Sequence, residues 1–124
     1  MKPIARLAGV SLDCRDPHEL ATFYRALLDL QVLVESDDLV ALKGAGILVT
    51  TQRVAEHQEP DWPEVLVPKQ IHLELSVDNL DGAEAAAIAI GATKATSQPQ
   101  PEDWRVLFDP AGHPFCITTL IGDV

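Results

Sequence analysis

A block of sequence near the N-terminus returns about sixty residues later, and this duplication restricts the possible folds more than any other feature. Leu12-Asp13-Cys14-Arg15-Asp16-Pro17 leads directly into the apolar-periodic stretch Leu20 to Leu30. Glu74-Leu75-Ser76-Val77-Asp78-Asn79 leads in the same way into Leu80 to Ala92. With Asp16 placed on Asp78, Ala21 falls on Ala83 and Leu28 on Ile90. Each copy closes with two apolar runs around a small turn: Leu39–Leu42 and Ile47–Thr51 around Gly44-Ala45-Gly46, then Trp104–Phe108 and Pro114–Leu120 around Asp109–Gly112. Two similar halves of this kind are expected to pack around a shared cleft, and function is to be sought there.

Local signals fill in each copy. Leu7 to Cys14 reads as a strand, and Asp16-Pro17-His18-Glu19 as a helix start with Asp16 as N-cap, Pro17 in the first helical position and Glu19 where a capping box places its acid. Leu20, Phe23, Tyr24 and Leu27 share one helical face that should pack on a sheet. Val32 to Glu35 resumes strand character, Asp37-Asp38 turns the chain, and Leu39–Leu42 and Ile47–Gln52 form a hairpin across Lys43 to Gly46. In the second copy Gln70 to Val77 reads as a strand. Asp78 is expected to cap a helix whose packed face is Leu80, Ala83, Ala87 and Ile90, with Gly91 as a left-handed C-cap. Thr96 to Asp103 is a loop before the final hairpin. The expected fold class is therefore α+β, two βαβββ repeats forming a curved mixed sheet around a cleft. The 124 residues make one domain, with repeat one at about 5–52, a connection at 53–69 and repeat two at about 70–121. The connection holds three prolines and Trp62, long enough to cross the molecule or fold over a cleft.

Composition removes several functions. A formal net charge of −10, with nine Lys and Arg scattered and no basic stripe, argues against binding a nucleic-acid backbone. No apolar run approaches the roughly twenty residues that cross a bilayer. Arg6 and Asp13 interrupt any secretory apolar core, so a cytoplasmic protein is expected. Cys14 and Cys116, the two cysteines, are expected as reduced thiols. One helix per four strands and the lack of a Gly-rich strand-to-helix turn do not suit a Rossmann-type fold. P-loop, HExxH, CxxC and Gly-x-Ser-x-Gly patterns are missing as well.

Two βαβββ units in a chain of this length resemble the vicinal oxygen chelate superfamily, which includes glyoxalase I, extradiol dioxygenases and bleomycin-resistance proteins. The residues that carry the likeness are Asp16-Pro17 followed by Phe23-Tyr24 and Leu28-Asp29-Leu30, then Ile71-His72-Leu73-Glu74-Leu75-Ser76-Val77-Asp78-Asn79. Gly91-Ala92-Thr93 and Phe108-Asp109-Pro110-Ala111-Gly112-His113-Pro114-Phe115 complete it. The chain is most similar to small bacterial glyoxalase-like proteins. In metal-dependent members, inward-facing residues on four strands supply the ligands, typically His or Gln, Glu, His and Glu. Carried over, the third-strand histidine lands on His72, the first-strand ligand on Gly9 or Val10, the last glutamate on Cys116 and the remaining acid near Thr50. Of these, His72 alone matches. Gly and Val have no donor, and Thr is a poor neutral ligand for Zn, Ni or Fe.

The resemblance and this departure together set the functional expectations. The first is a metal-free small-molecule-binding protein of the glyoxalase/bleomycin-resistance type, with no cofactor, its pocket between the two repeats and His72, Glu74, Cys116, Thr50 and Trp62 as ligand-binding residues. The acidic charge favours a cationic ligand and the tryptophans an aromatic one. A homodimer is implied by the resemblance. The alternative is a lyase or isomerase that uses either a rearranged divalent-metal site built from His72, Glu74 and Cys116 or a His72/Glu74 acid–base pair. A third reading is a non-catalytic interaction scaffold. Trp104 is expected in the core or an interface, and His18 and His113 at the surface.

Overall fold

The computed structural model describes residues 2–60, 67 and 70–122. The chain forms two compact units, Met1–His57 and Gln58–Val124. The boundary falls inside the connection, and each unit holds one of the two copies. The expected βαβββ order is present in both, and each copy forms its own four-stranded mixed sheet.

In the first unit β1 (Gly9–Cys14) is followed by α1 (Pro17–Leu28), β2 (Gln31–Glu35), β3 (Leu39–Lys43) and β4 (Leu48–Arg53), in sheet order β1-β4-β3-β2. β1 and β4 are parallel and the other neighbours antiparallel. Register sets the inner face. Leu12 lies beside Thr51, Thr51 beside Val40 and Leu42 beside Val49, and all five are buried. The helix starts where the sequence places it. Asp16 accepts from the backbone N–H of His18 at 3.0 Å and of Glu19 at 3.2 Å, with Pro17 behind it. Leu20, Ala21, Phe23 and Tyr24 are buried, and the Phe23 and Tyr24 rings meet edge to face at 5.0 Å. Thr51, fully buried, donates its hydroxyl to the carbonyl of Pro17 at 2.7 Å, so the sheet itself anchors the first helical turn. At the same end of the strands Arg53 donates to the carbonyls of Arg15 and Asp37, closing the turn at Asp37-Asp38.

The second unit repeats the order with β5 (Leu73–Ser76), α2 (Leu80–Ala89), β6 (Thr93–Lys94), β7 (Trp104–Phe108) and β8 (Pro114–Thr118), the sheet running β5-β8-β7-β6. Three expectations need correction here. The N-cap of α2 is Asn79, not Asp78: Asn79 is extended at φ −145°, and its side chain accepts from the N–H of Gly82 at 2.7 Å. Both residues are suited to capping, but the one next to the first helical residue is placed to reach the free amides. The packed face is also different. Of Leu80, Ala83, Ala87 and Ile90, Ala87 alone is buried, while Ile88 and Ile90 stay exposed. Third, β5 is shorter than expected, so His72 sits just before the strand rather than within it.

What Ala-rich α2 lacks in apolar contact is met partly by charge. Arg105 on β7 donates to Asp81 at 2.7 Å and lies 3.7 Å from Glu84, which pairs with Lys94 at 3.2 Å. The hydrogen bond with Asp81 raises the basicity of a guanidinium that is already always charged. The short β6 is supplemented by Gln98. Its amide donates to the carbonyls of Ala95 and Val106 and accepts from the N–H of Val106, taking the place of a strand partner. Gly91, beyond the helix, is at φ 122°, as a chain reversal there requires. No helix among the described residues is long and apolar enough to cross a membrane.

Candidate ligand-binding site

The second sheet has a helix side and an open side, and register assigns residues to each. Arg105 lies opposite Ile117 and reaches α2, which marks that face as the helix side. The alternate residues therefore share the open side. They are Glu74 beside Cys116, Cys116 beside Val106, Ser76 beside Thr118 and Thr118 beside Trp104. Together with His72, Leu120 and Ile121, the residues Glu74, Trp104, Cys116 and Thr118 line a cavity of ≈ 370 Å³. All seven described lining residues belong to the second unit.

Each wall has an identifiable support. Cys116 is buried with Ala95 and Val106, and Trp104 and Phe108 pack against that cluster. Thr118 donates its hydroxyl to the Asp103 carbonyl at 2.9 Å and accepts from the N–H of Leu120 at 3.1 Å, which turns the chain at the end of β8. Ser76 then donates to the carbonyl of Ile121 at 2.5 Å. These bonds hold Leu120 and Ile121 over the open face as apolar walls. The polar end is made by His72 and Glu74, whose Nε2 and Oε1 are 3.4 Å apart. The His72 side chain is 27% exposed and that of Glu74 is 56% exposed, so both are accessible to a ligand and to water. A mostly apolar concavity with a few convergent polar groups is the usual form of a small-molecule site.

Three of the residues expected from sequence, His72, Glu74 and Cys116, are thus brought together. Thr50 is in the first unit, on the strand face away from α1, between Ser11 and Ala41. Trp62 lies outside the described residues. Sequence reasoning missed Thr118, Leu120 and Ile121 as lining residues; Trp104, expected in the core or an interface, packs half-buried against the Ala95, Val106 and Cys116 cluster and also lines the cavity. The only signal available was alternation along the last hairpin, which places Trp104, Thr118 and Cys116 on one face once the register is known. His113, expected at the surface, is half-buried in the last turn, where Asp109 accepts from the N–H groups of Ala111 and His113.

Two βαβββ halves, each with a four-stranded mixed sheet and one of them holding an apolar cavity with a His–Glu end, define a small α+β protein of the two-repeat glyoxalase type. A family model described as the glyoxalase-like domain matches residues 9–118, and the chain belongs to that family. No curated protein matches the chain. Among solved structures it is similar to a glyoxalase/bleomycin resistance protein/dioxygenase family enzyme from Burkholderia phytofirmans PsJN. That match has 22% identity and a TM-score of 0.70, and covers 94% of this chain and 100% of that one. It is also similar to a variant of the fosfomycin resistance protein FosX from Listeria monocytogenes, complexed with Mn(II) and 1S,2S-dihydroxypropylphosphonic acid. There the identity is 15% and the TM-score 0.73, with 98% and 96% of the two chains covered. FosX from Mesorhizobium loti matches at 15% identity and a TM-score of 0.70, over 98% of this chain and 95% of that one.

The residues of this chain can be tested against the divalent metal that the family pattern implies. At the first-strand position, Val10 shares the helix-side register of Leu12 and Val49, away from the face of Thr50, and carries no donor. A Cβ on Gly9 would stand 2.8 Å from the carbonyl oxygen of Leu48, so no ligating side chain fits there without a shift of backbone. Thr50 is neutral, and Cys116 replaces the last carboxylate. Among the described residues no group of three or more His, Cys, Asp or Glu side chains is arranged to hold a metal ion, and this includes the rearranged His72/Glu74/Cys116 set. The donor set does not fit that metal.

Proposed function

We propose that the protein binds a small organic molecule in the second-repeat cavity, without a divalent metal. The observation that carries this reading is the cavity itself: apolar walls from Trp104, Leu120 and Ile121 converge on a single polar end at His72 and Glu74. A carboxylate near an aromatic wall suits a protonated amine on an aromatic or alkyl body. The net charge of −10 favours the approach of such a cation. The presence of a bound small acid in a FosX structure of similar fold supports small-molecule binding in general terms. We extend the reading to a cytoplasmic homodimer, which the family resemblance suggests.

A thermal-shift series with benzylamine, cyclohexylamine and their neutral alcohols tests it. Ligands that bind only the folded state raise its melting temperature, so the amines should stabilise the wild-type protein by a few degrees more than the alcohols, and Glu74→Gln should remove the difference. Elemental analysis of protein purified without chelator completes the test. Stoichiometric Zn, Ni, Mn or Fe that disappears in His72→Ala would overturn the metal-free reading.

The 3.4 Å approach of His72 and Glu74 favours a second reading, in which the pair acts on the bound molecule. A carboxylate that orients an imidazole prepares it to take and return a proton, which suits a lyase or isomerase acting on an oxygenated substrate. Turnover of such a substrate that is abolished in His72→Ala, while ligand binding persists, would establish it.

A further inference from the structure

The cavity also contains a thiol, and we propose that Cys116 is a covalent acceptor for small carbon electrophiles, with His72 as its base and Glu74 positioning His72. This rests on the ligand-binding reading of the same cavity and assigns its chemistry. A nucleophile, a base and a group that orients the base are the parts of an activated-thiol site. Here all three line one concavity. Glu74 and Cys116 are direct neighbours in the β5–β8 register, and His72 lies two residues before Glu74 with its ring drawn to that carboxylate at 3.4 Å.

The second cysteine supplies an internal contrast. Cys14 is 1% exposed and its Sγ donates to the carbonyl of Gln52 at 3.5 Å, under the helix side of the first sheet. Cys116 is 4% exposed and lines the cavity. Walls of Trp104, Leu120 and Ile121 beside it favour small and largely apolar electrophiles. For an α,β-unsaturated carbonyl compound the step balances without any other reactant. His72 takes the thiol proton and the sulfur lone pair forms a bond to the β carbon. The carbon–carbon π pair moves toward the carbonyl as an enolate, and the proton on His72 returns to the α carbon. The product is a thioether.

Treatment of the native protein with limiting N-ethylmaleimide, followed by intact mass and peptide mapping, tests this. One adduct is expected, on Cys116, forming about tenfold or more faster than on Cys14, and His72→Asn should slow it by about tenfold at neutral pH. Glu74→Gln should slow it less, and both variants should unfold at denaturant midpoints close to that of the wild type. Equal rates at the two cysteines, or a rate on Cys116 indifferent to His72→Asn, would overturn the proposal. The response of the wild-type protein to benzylamine separates this failure from that of the binding reading. If Cys116 is inert while benzylamine still stabilises the wild type, the covalent proposal alone falls. If benzylamine also has no effect, the binding reading falls with it.

Discussion

Helix α1 buries Leu20, Ala21, Phe23 and Tyr24 against the first sheet, whereas α2, in the same place in the second repeat, buries Ala87 alone among its described residues. The topologies are the same, so the difference is one of side-chain chemistry. α1 carries a stripe of large apolar residues and is held by area, at roughly 1.5–3 kcal/mol for each large side chain taken out of water. α2 is alanine-rich on every side and has little such area to bury. It is secured by its Asn79 cap and by the Asp81–Arg105–Glu84–Lys94 charges, which salt and water weaken. The repeat whose helix is less firmly anchored is the one that contains the cavity. A duplicated fold can thus keep its framework in both copies while one copy carries the larger share of the core and the other forms a cavity.

Substitutions can break this comparison. The largest effect is expected from Phe23→Ala, which empties a site that is 2% exposed and should cost about 3–5 kcal/mol in denaturant unfolding. A small loss there would refute the claim that area holds α1. The turns give a more direct contrast, because Gly46 and Gly112 stand at matching places in the two copies and adopt φ 84° and 86°. Gly46→Ala meets nothing within 4 Å and should cost about 1 kcal/mol for the left-handed backbone alone. Gly112→Ala would bring its Cβ to 2.7 Å from the Glu59 side chain and should cost about 1–3 kcal/mol. Replacing Glu59 as well, with Gly, removes both atoms at 2.7 Å and should cancel the excess cost in a double-mutant cycle. Lys94→Ala, which removes one arm of the charge cluster, should cost about 0–1 kcal/mol and become silent at high salt. The smallest effect is expected at Ile88, 44% exposed on α2, where Ser should change stability by no more than about 0.5 kcal/mol.

The parts of the fold legible in the sequence are those decided by near neighbours. Asp16 followed by Pro17 starts α1 because the cap bonds only two and three residues ahead. The β3–β4 hairpin is readable because two short apolar runs flank a turn that holds Gly44 and Gly46. The N-cap of α2 was misplaced by one residue because Asp78 and Asn79 are chemically equivalent candidates, and the first helical residue decides between them. Its packed face was misread because a run of alanines has no preferred side. The site was half legible. His72 and Cys116 follow from family spacing and Glu74 from its place two residues after His72, but Leu120 and Ile121 are walls only because Thr118 and Ser76 hold the tail there.

The sequence by itself determined the duplication and the βαβββ order of each copy. Each of these depends on residue identity and on contacts a few residues apart. Tertiary structure decided which residues wall the second-repeat cavity, Cys116 among them. Those outcomes depend on cross-strand register, on Glu74 falling beside Cys116 and Trp104 beside Thr118. Because alternate residues face opposite sides, a shift of one residue in either strand would turn the same side chains toward the helix.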